Sequence, residues 1–301
     1  MNTYTVAVRN YAHTTPLKTG ERQVENCRLE FVEIDPIYKA FAPMVRELKY
    51  DVSEMAIATY LQARDQGKAI SLLPIVMNGD FHHHSLSQWP GGRIQDPKDL
   101  AGRRVGVRAY SQTTGLWVRG VLKEEHGIDA DQVTWVTTEG PHVAEYVEPP
   151  NVERTESKLL DLLREGDLAA AVLGPVAIDD DGAALVPVIR DWREAEHAWF
   201  ERHATVPVNH MLTVRTDVLK NDPEAVQGIY DAVTASIDAA KEAAKKEGPE
   251  TSRQRAVTYG LNDALLSALN VAVRYAREQR LIESDFTAEE LLADFTKYLD
   301  A

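Results

Sequence analysis

An α/β fold of two lobes, each a largely parallel sheet covered by helices, is the architecture this 301-residue chain predicts. Three observations carry it. Short runs of strand and helix period alternate from Tyr4 to Met77; a second round of alternation follows the break at Pro90-Gly91-Gly92; and one late strand, Thr205 to Val214, precedes a tail of almost wholly helical pattern. Such a tail cannot build its own sheet and is expected to pack back on the first lobe. The lobes are therefore assigned as residues 1–91 with 207–301 and residues 92–206, joined by two crossings with the ligand between them.

The elements follow in order. Tyr4 to Val8 and Arg28 to Ile34 alternate polar and apolar residues as half-buried strands do, and an amphipathic run covers Pro36 to Leu48. Asp51 to Ala56, Ala58 to Gln66 and Ile70 to Met77 complete the first lobe as strand, helix and strand. In the second lobe, strand Arg103 to Val107 leads to a helix from Thr113 to His126, stopped by Gly127. Strand Val133 to Val136, helix Glu156 to Glu165 and strand Ala169 to Leu173 follow. Asp217 to Lys246 is rich in Ala, Lys and Glu and reads as a solvated helix. The five tryptophans, Trp89, Trp117, Trp135, Trp192 and Trp199, are read as packing residues.

Composition narrows the function. A formal charge of −14, from 47 acids against 33 bases, does not concentrate phosphate backbones, so neither nucleic acid nor an anionic membrane is an expected partner. An anionic substrate must then be held by locally placed donors and helix ends. Cys27 is alone, which excludes an internal disulfide and a cysteine-based metal site. No apolar stretch reaches the ~18 residues of a spanning helix, and the N-terminal residues go straight into a strand pattern, so a cytoplasmic location is expected. Homo-oligomerisation stays open.

Two segments point to chemistry. Tyr110-Ser111-Gln112-Thr113-Thr114-Gly115 follows a strand and opens a helix; its hydroxyl residues are N-cap candidates, and the first turn of a helix presents unsatisfied N–H groups to an anion. The alternative is an ordinary cap without a ligand. Phe81-His82-His83-His84-Ser85 places three titratable rings together, with His82 and His84 on one face if the segment is extended. Two histidines fall short of the three or four protein ligands of a zinc site, so no metal or other cofactor is assigned. His210, in an apolar strand at a lobe crossing, reads either as a core residue or as a group lining the cleft. Tyr11 and His13 lie in the loop after the first strand, where ligands bind in open α/β sheets. Elbow, P-loop and dinucleotide fingerprints are absent.

Asp51-Val52-Ser53-Glu54-Met55, Pro97 to Val107, Trp117-Val118-Arg119-Gly120 and Pro207-Val208-Asn209-His210 together resemble the 4,5-dihydroxyphthalate decarboxylase family, over nearly the whole chain. That resemblance implies a type 2 periplasmic-binding-protein-like fold with two crossovers and a helical C-terminal tail. It also implies His83 and His210 as catalytic residues; the loop after the first strand, the histidine run and the helix start themselves put forward Tyr11, His13, His82, His84, Tyr110, Ser111, Gln112, Thr113 and Thr114 as substrate-binding residues. The chain departs from the family at Asn10 and His13, where an acidic residue and an arginine are usual. His82 stands where an arginine is usual, and Leu173-Gly174-Pro175 replaces a stretch that usually includes another. Fewer guanidinium partners imply a ligand with fewer negative charges than a phthalate.

The expected activity is a cofactor-independent lyase, a decarboxylase of an aromatic or cyclic (hydroxy)carboxylate, with a small anionic organic molecule as partner. A solute-binding or sensor protein without chemistry is the alternative. A dehydratase or other proton-transfer enzyme is a third reading, since cytoplasmic relatives of this fold in menaquinone synthesis resemble this chain in size; it predicts a product that keeps its carboxylate.

Overall fold

Two sheets divide the chain in the computed structural model, which describes residues 1–174 and 184–299. Pro175 of the Leu173-Gly174-Pro175 run lies outside the described residues. The first sheet has the order β2-β1-β3-β11-β4, built from β1 (Thr3–Ala7), β2 (Arg28–Phe31), β3 (Val52–Ala56), β4 (Ile70–Gly79) and β11 (Val208–Arg215). β1 runs parallel to β2 and β3, whereas β11 is antiparallel to both its neighbours. The second sheet has the order β10-β5-β9-β6-β7-β8, from β5 (Leu86–Gln88), β6 (Arg104–Val107), β7 (Thr134–Thr137), β8 (Val152–Arg154), β9 (Ala170–Val172) and β10 (Val186–Pro187).

The change of sheet comes earlier than the break at Pro90-Gly91-Gly92 that set the expected lobe boundary at residue 91. β5 already pairs with β9 and β10, so the first crossing lies between Gly79 and Leu86 and the histidine run is part of it. Pairing of a three-residue strand is decided by partners about eighty residues away, which local pattern does not report. The second crossing returns through Pro207, and the two touch: Asp80 N donates to Pro207 O at 3.1 Å. A Cβ on Gly79 would lie 2.6 Å from that same carbonyl, so this close approach requires glycine.

The tail is helical as its pattern predicts, but it does not pack on the first lobe alone. The helix Pro223–Ala244 covers one face of the first sheet, with Val226, Ile229, Val233 and Ile237 in one core with Val6, Val52 and Leu212. The helix Asp263–Glu278 lies against Ile57–Asp65 of the first lobe and against Thr113–His126 of the second. Gly120 permits the second contact, because a Cβ there would come 1.9 Å from Tyr275 Cδ2. The largest core is therefore continuous between the lobes, from Phe41 and Tyr60 through Trp117 and Trp135 to Tyr275. Trp117, Trp135 and Trp199 are fully buried, in keeping with packing roles.

Candidate active site in the cleft

β3 lies between β1 and β11, and its register with β11 sets Glu54 opposite Leu212 and two residues from His210 on the same face. Glu54 is wholly buried. Its Oε1 accepts from His210 Nδ1 at 2.6 Å and from the Tyr11 hydroxyl at 2.7 Å, while Oε2 accepts from the Arg9 backbone N–H at 2.9 Å. Burial alone would raise this carboxyl. The hydrogen bonds and charge of His210, with those from Arg9 and Tyr11, hold it below the usual carboxylate range. Burial and the Glu54 charge push the Tyr11 hydroxyl up, so it stays protonated and donates.

An ionised Glu54 only accepts, so His210 Nδ1 carries a hydrogen and the free nitrogen is Nε2. That nitrogen has no hydrogen-bond partner among the described residues. His210 lines a chamber of about 250 Å³ between the lobes. Phe41 meets the ring edge-on at 5.2 Å and meets His142, from the facing lobe, in the same way at 5.7 Å. His142 is fixed by a 2.8 Å hydrogen bond with Thr59, and burial followed by the charges of Arg108 and Arg46 lowers it to about 4.

The opposite wall is the start of the helix Thr113–His126, which takes the expected position but not the expected cap. Gln112 occupies the cap position and its side chain makes no capping bond, so the first-turn N–H groups are left for a ligand. Thr113 Oγ1 accepts instead from Ala58 N at 3.2 Å, tying the two lobes, and the buried Ser111 Oγ has no partner among the described residues. Arg108 joins this wall, stacked 3.8 Å above the Tyr38 ring and paired with Glu139 at 3.0 Å.

A second chamber of about 560 Å³ adjoins the first, and the two share Arg9, Thr114 and Asn209. Tyr11, His13, His82 and His84 line it. His82 Nε2 is 2.6 Å from Asn209 Oδ1, and His84 Nδ1 is 2.8 Å from Glu196. His13 stacks on Tyr11 with centroids 4.9 Å apart.

The structure thus brings His210, Ser111, Gln112, Thr113 and Thr114 together, and Tyr11, His13, His82 and His84 beside them. It does not bring His83 or Tyr110. The expected catalytic His83, in the 3₁₀ turn His83–Ser85, is 1% exposed, faces Glu125 at 3.4 Å and lines neither chamber, on the side away from His82 and His84. Tyr110 turns its hydroxyl to Gln279 O and its ring to Arg119. Sequence reasoning missed Glu54, Arg9, Arg108 and His142. For Glu54 a signal existed, a carboxylate in the middle of a short strand pattern, between Val52 and Met55-Ala56. Among the described residues no group of three or more His, Cys, Asp or Glu is placed to hold a metal ion, and no helix is long and apolar enough to cross a membrane.

Comparison with known proteins bears out the resemblance. The chain is 26% identical over 285 residues to a 4,5-dihydroxyphthalate decarboxylase of Comamonas testosteroni, covering 87% of this chain and 82% of that protein. It is 33% identical over 135 residues to a protein of the same name from Pseudomonas putida, covering 44% and 51%. Residues 40–153 match the family described as NMT1/THI5 like. Among solved structures, the alkanesulfonate-binding protein SsuA of Xanthomonas axonopodis pv. citri bound to MOPS superposes with a TM-score of 0.56 at 13% identity, over 97% of this chain and 96% of that one. The two-lobed periplasmic-binding-protein fold expected from the sequence is the fold of this chain.

Proposed function

We propose that the smaller chamber binds a carboxylate on an aromatic or cyclic ring and that the protein removes it as CO2. The observation that carries this reading is the Glu54–His210 pair, a buried carboxylate that fixes an imidazole with Nε2 free at the chamber. The first turn of the helix Thr113–His126, Ser111 and Arg108 supply donors for the acid. Protonated His210 Nε2 delivers its proton to the ring carbon that bears the carboxylate. The bond to the carboxyl carbon breaks, its electron pair stays with the ring, CO2 leaves, and His210 regains a proton from water. Glu54 orients the ring and stabilises its cation, and Tyr11 and the Arg9 amide keep Glu54 in place. The names of the curated relatives support the same reaction class.

A second reading, a solute-binding protein without chemistry, is supported by the likeness to a sulfonate-binding protein, since one fold serves both purposes. The two readings separate in one experiment. The purified protein is incubated with hydroxylated aromatic mono- and dicarboxylates and the products are weighed by mass spectrometry. Loss of CO2 that falls by about 100-fold or more in His210→Asn supports the lyase. An acid retained unchanged by the protein supports the binding protein. The lyase reading goes with a cytoplasmic location and the other with export, which cell fractionation distinguishes.

A further inference from the structure

The reaction proposed above uses only the smaller chamber, and the larger one has walls of different chemistry. His13 belongs to the larger chamber's wall, and its Nε2 is buried without a hydrogen-bond partner among the described residues, the residue being 6% exposed. Nearly all buried polar atoms are paired, so an unpaired nitrogen on a residue that lines a chamber of about 560 Å³ calls for a ligand atom. Burial lowers both His13 and His82 to about 4, which leaves the rings uncharged near neutrality. The Asp80 carboxylate on the same wall is bound by Arg253 at 2.7 Å and Ser252 at 2.6 Å. His84 is taken by Glu196. Among the described residues the larger chamber therefore has no cation to spare beyond Arg9, which stands at the neck shared with the smaller chamber. An anion is served at the neck and in the smaller chamber; past the neck the walls suit neutral hydrogen-bonding groups.

We propose that the ligand has two parts: a ring carboxylate in the smaller chamber and an uncharged, hydrogen-bonding arm that passes Arg9, Thr114 and Asn209 to meet His13 Nε2. A hydroxyl suits this nitrogen best, since it donates or accepts whichever tautomer His13 holds. His13 is stacked on Tyr11, whose hydroxyl binds Glu54, so the arm's contact and the catalytic pair share one rigid support. The proposal rests on reading the smaller chamber as the site of the acid.

Titration calorimetry at pH 7 with three probes tests it: 4-hydroxybenzoate, 4-(3-hydroxypropoxy)benzoate and 4-(3-carboxypropoxy)benzoate. The hydroxyl arm is expected to tighten binding about tenfold over 4-hydroxybenzoate, the weight of one good hydrogen bond. The carboxylate arm is expected to bring no gain. In His13→Phe the ratio between hydroxyl-arm and armless acid should fall to near one, and in His13→Gln, which keeps a hydrogen-bonding group, part of it should return. Equal affinity of wild type for the first two probes overturns the proposal, as does a gain that survives in His13→Phe. Both outcomes leave the smaller chamber's role intact, whereas failure of 4-hydroxybenzoate itself to bind removes that role and the arm with it.

Discussion

In the proposed reaction Glu54 organises the site without touching the reactants, through His210, Tyr11 and the Arg9 amide. An ionised carboxylate with no exposure costs several kcal/mol of desolvation, and it is tolerated because three donors converge on its two oxygens. Glu54→Gln keeps the shape but removes the acceptor that stabilises a charged His210. Turnover is expected to fall by about 100-fold with KM changed far less, because the loss is felt when His210 carries the proton. Equal changes in kcat and KM, or no loss, would reduce Glu54 to a packing residue. His83→Gln provides the contrast: the ring faces Glu125 away from both chambers, so turnover is expected to stay within about tenfold of wild type, less than a general acid contributes. The pattern of residues marked this histidine run as chemical and set His82 apart with His84, both of which line the larger chamber, whereas the family resemblance singled out His83, which lines neither. Three adjacent rings differ by which way a 3₁₀ turn points them, and that is decided by contacts with the helices Thr113–His126 and Trp192–His203.

Among the elements, legibility tracked how local the deciding interactions are. The helix Thr113–His126 runs between the residues its pattern marks, ending where Gly127 takes a φ of 70°. The run Pro36 to Leu48 instead splits into the 3₁₀ turn Ile37–Ala40 and the helix Phe41–Glu47, and the helix expected from Glu156 begins at Leu159. Close approach between elements was the least legible, since Gly120 reads in sequence as a weak spot in a helix. In the structure it is where Tyr275 enters. Gly120→Ala would place a methyl inside that ring, and with backbone on one side and the Trp117–Trp199 pair on the other the ring has little room to move. Overpacking of this kind costs about 1–3 kcal/mol, to be read as a lower denaturation midpoint. Adding Tyr275→Leu should recover part of that loss if the clash is the cause, and a simple sum of the two single losses would show that it is not.

For the whole molecule, the alternation of strand and helix was enough to give two α/β lobes, while the route of the chain between them depended on strand pairing that no local pattern reports. The cleft that results is bordered by buried histidines, and this gives the protein a defined sensitivity to acid. His13, His82 and His142 all border the cleft and are each lowered to about 4, in every case first by burial, from an ordinary value of 6.5. The unfolded chain binds protons at these rings as pH drops below 6.5, whereas the folded chain does so only near 4. Stability therefore increases with pH across that window, is complete above it, and is lost as pH falls through it, on the order of 3 kcal/mol for a ring that stays buried. The carboxyl of Glu54, lowered by its partners, acts in the same direction but only at lower pH, where it begins to protonate. The melting temperature should thus decline steadily from pH 7 to pH 4.5, before the carboxylates contribute much. His142→Gln retains a side chain able to reach Thr59 while removing one titrating ring, so its decline over the same interval should be shallower. A melting temperature that is flat from pH 7 to pH 5 in the wild type would mean that the cleft admits enough water to hydrate these rings, and that its chambers are wetter than their walls indicate.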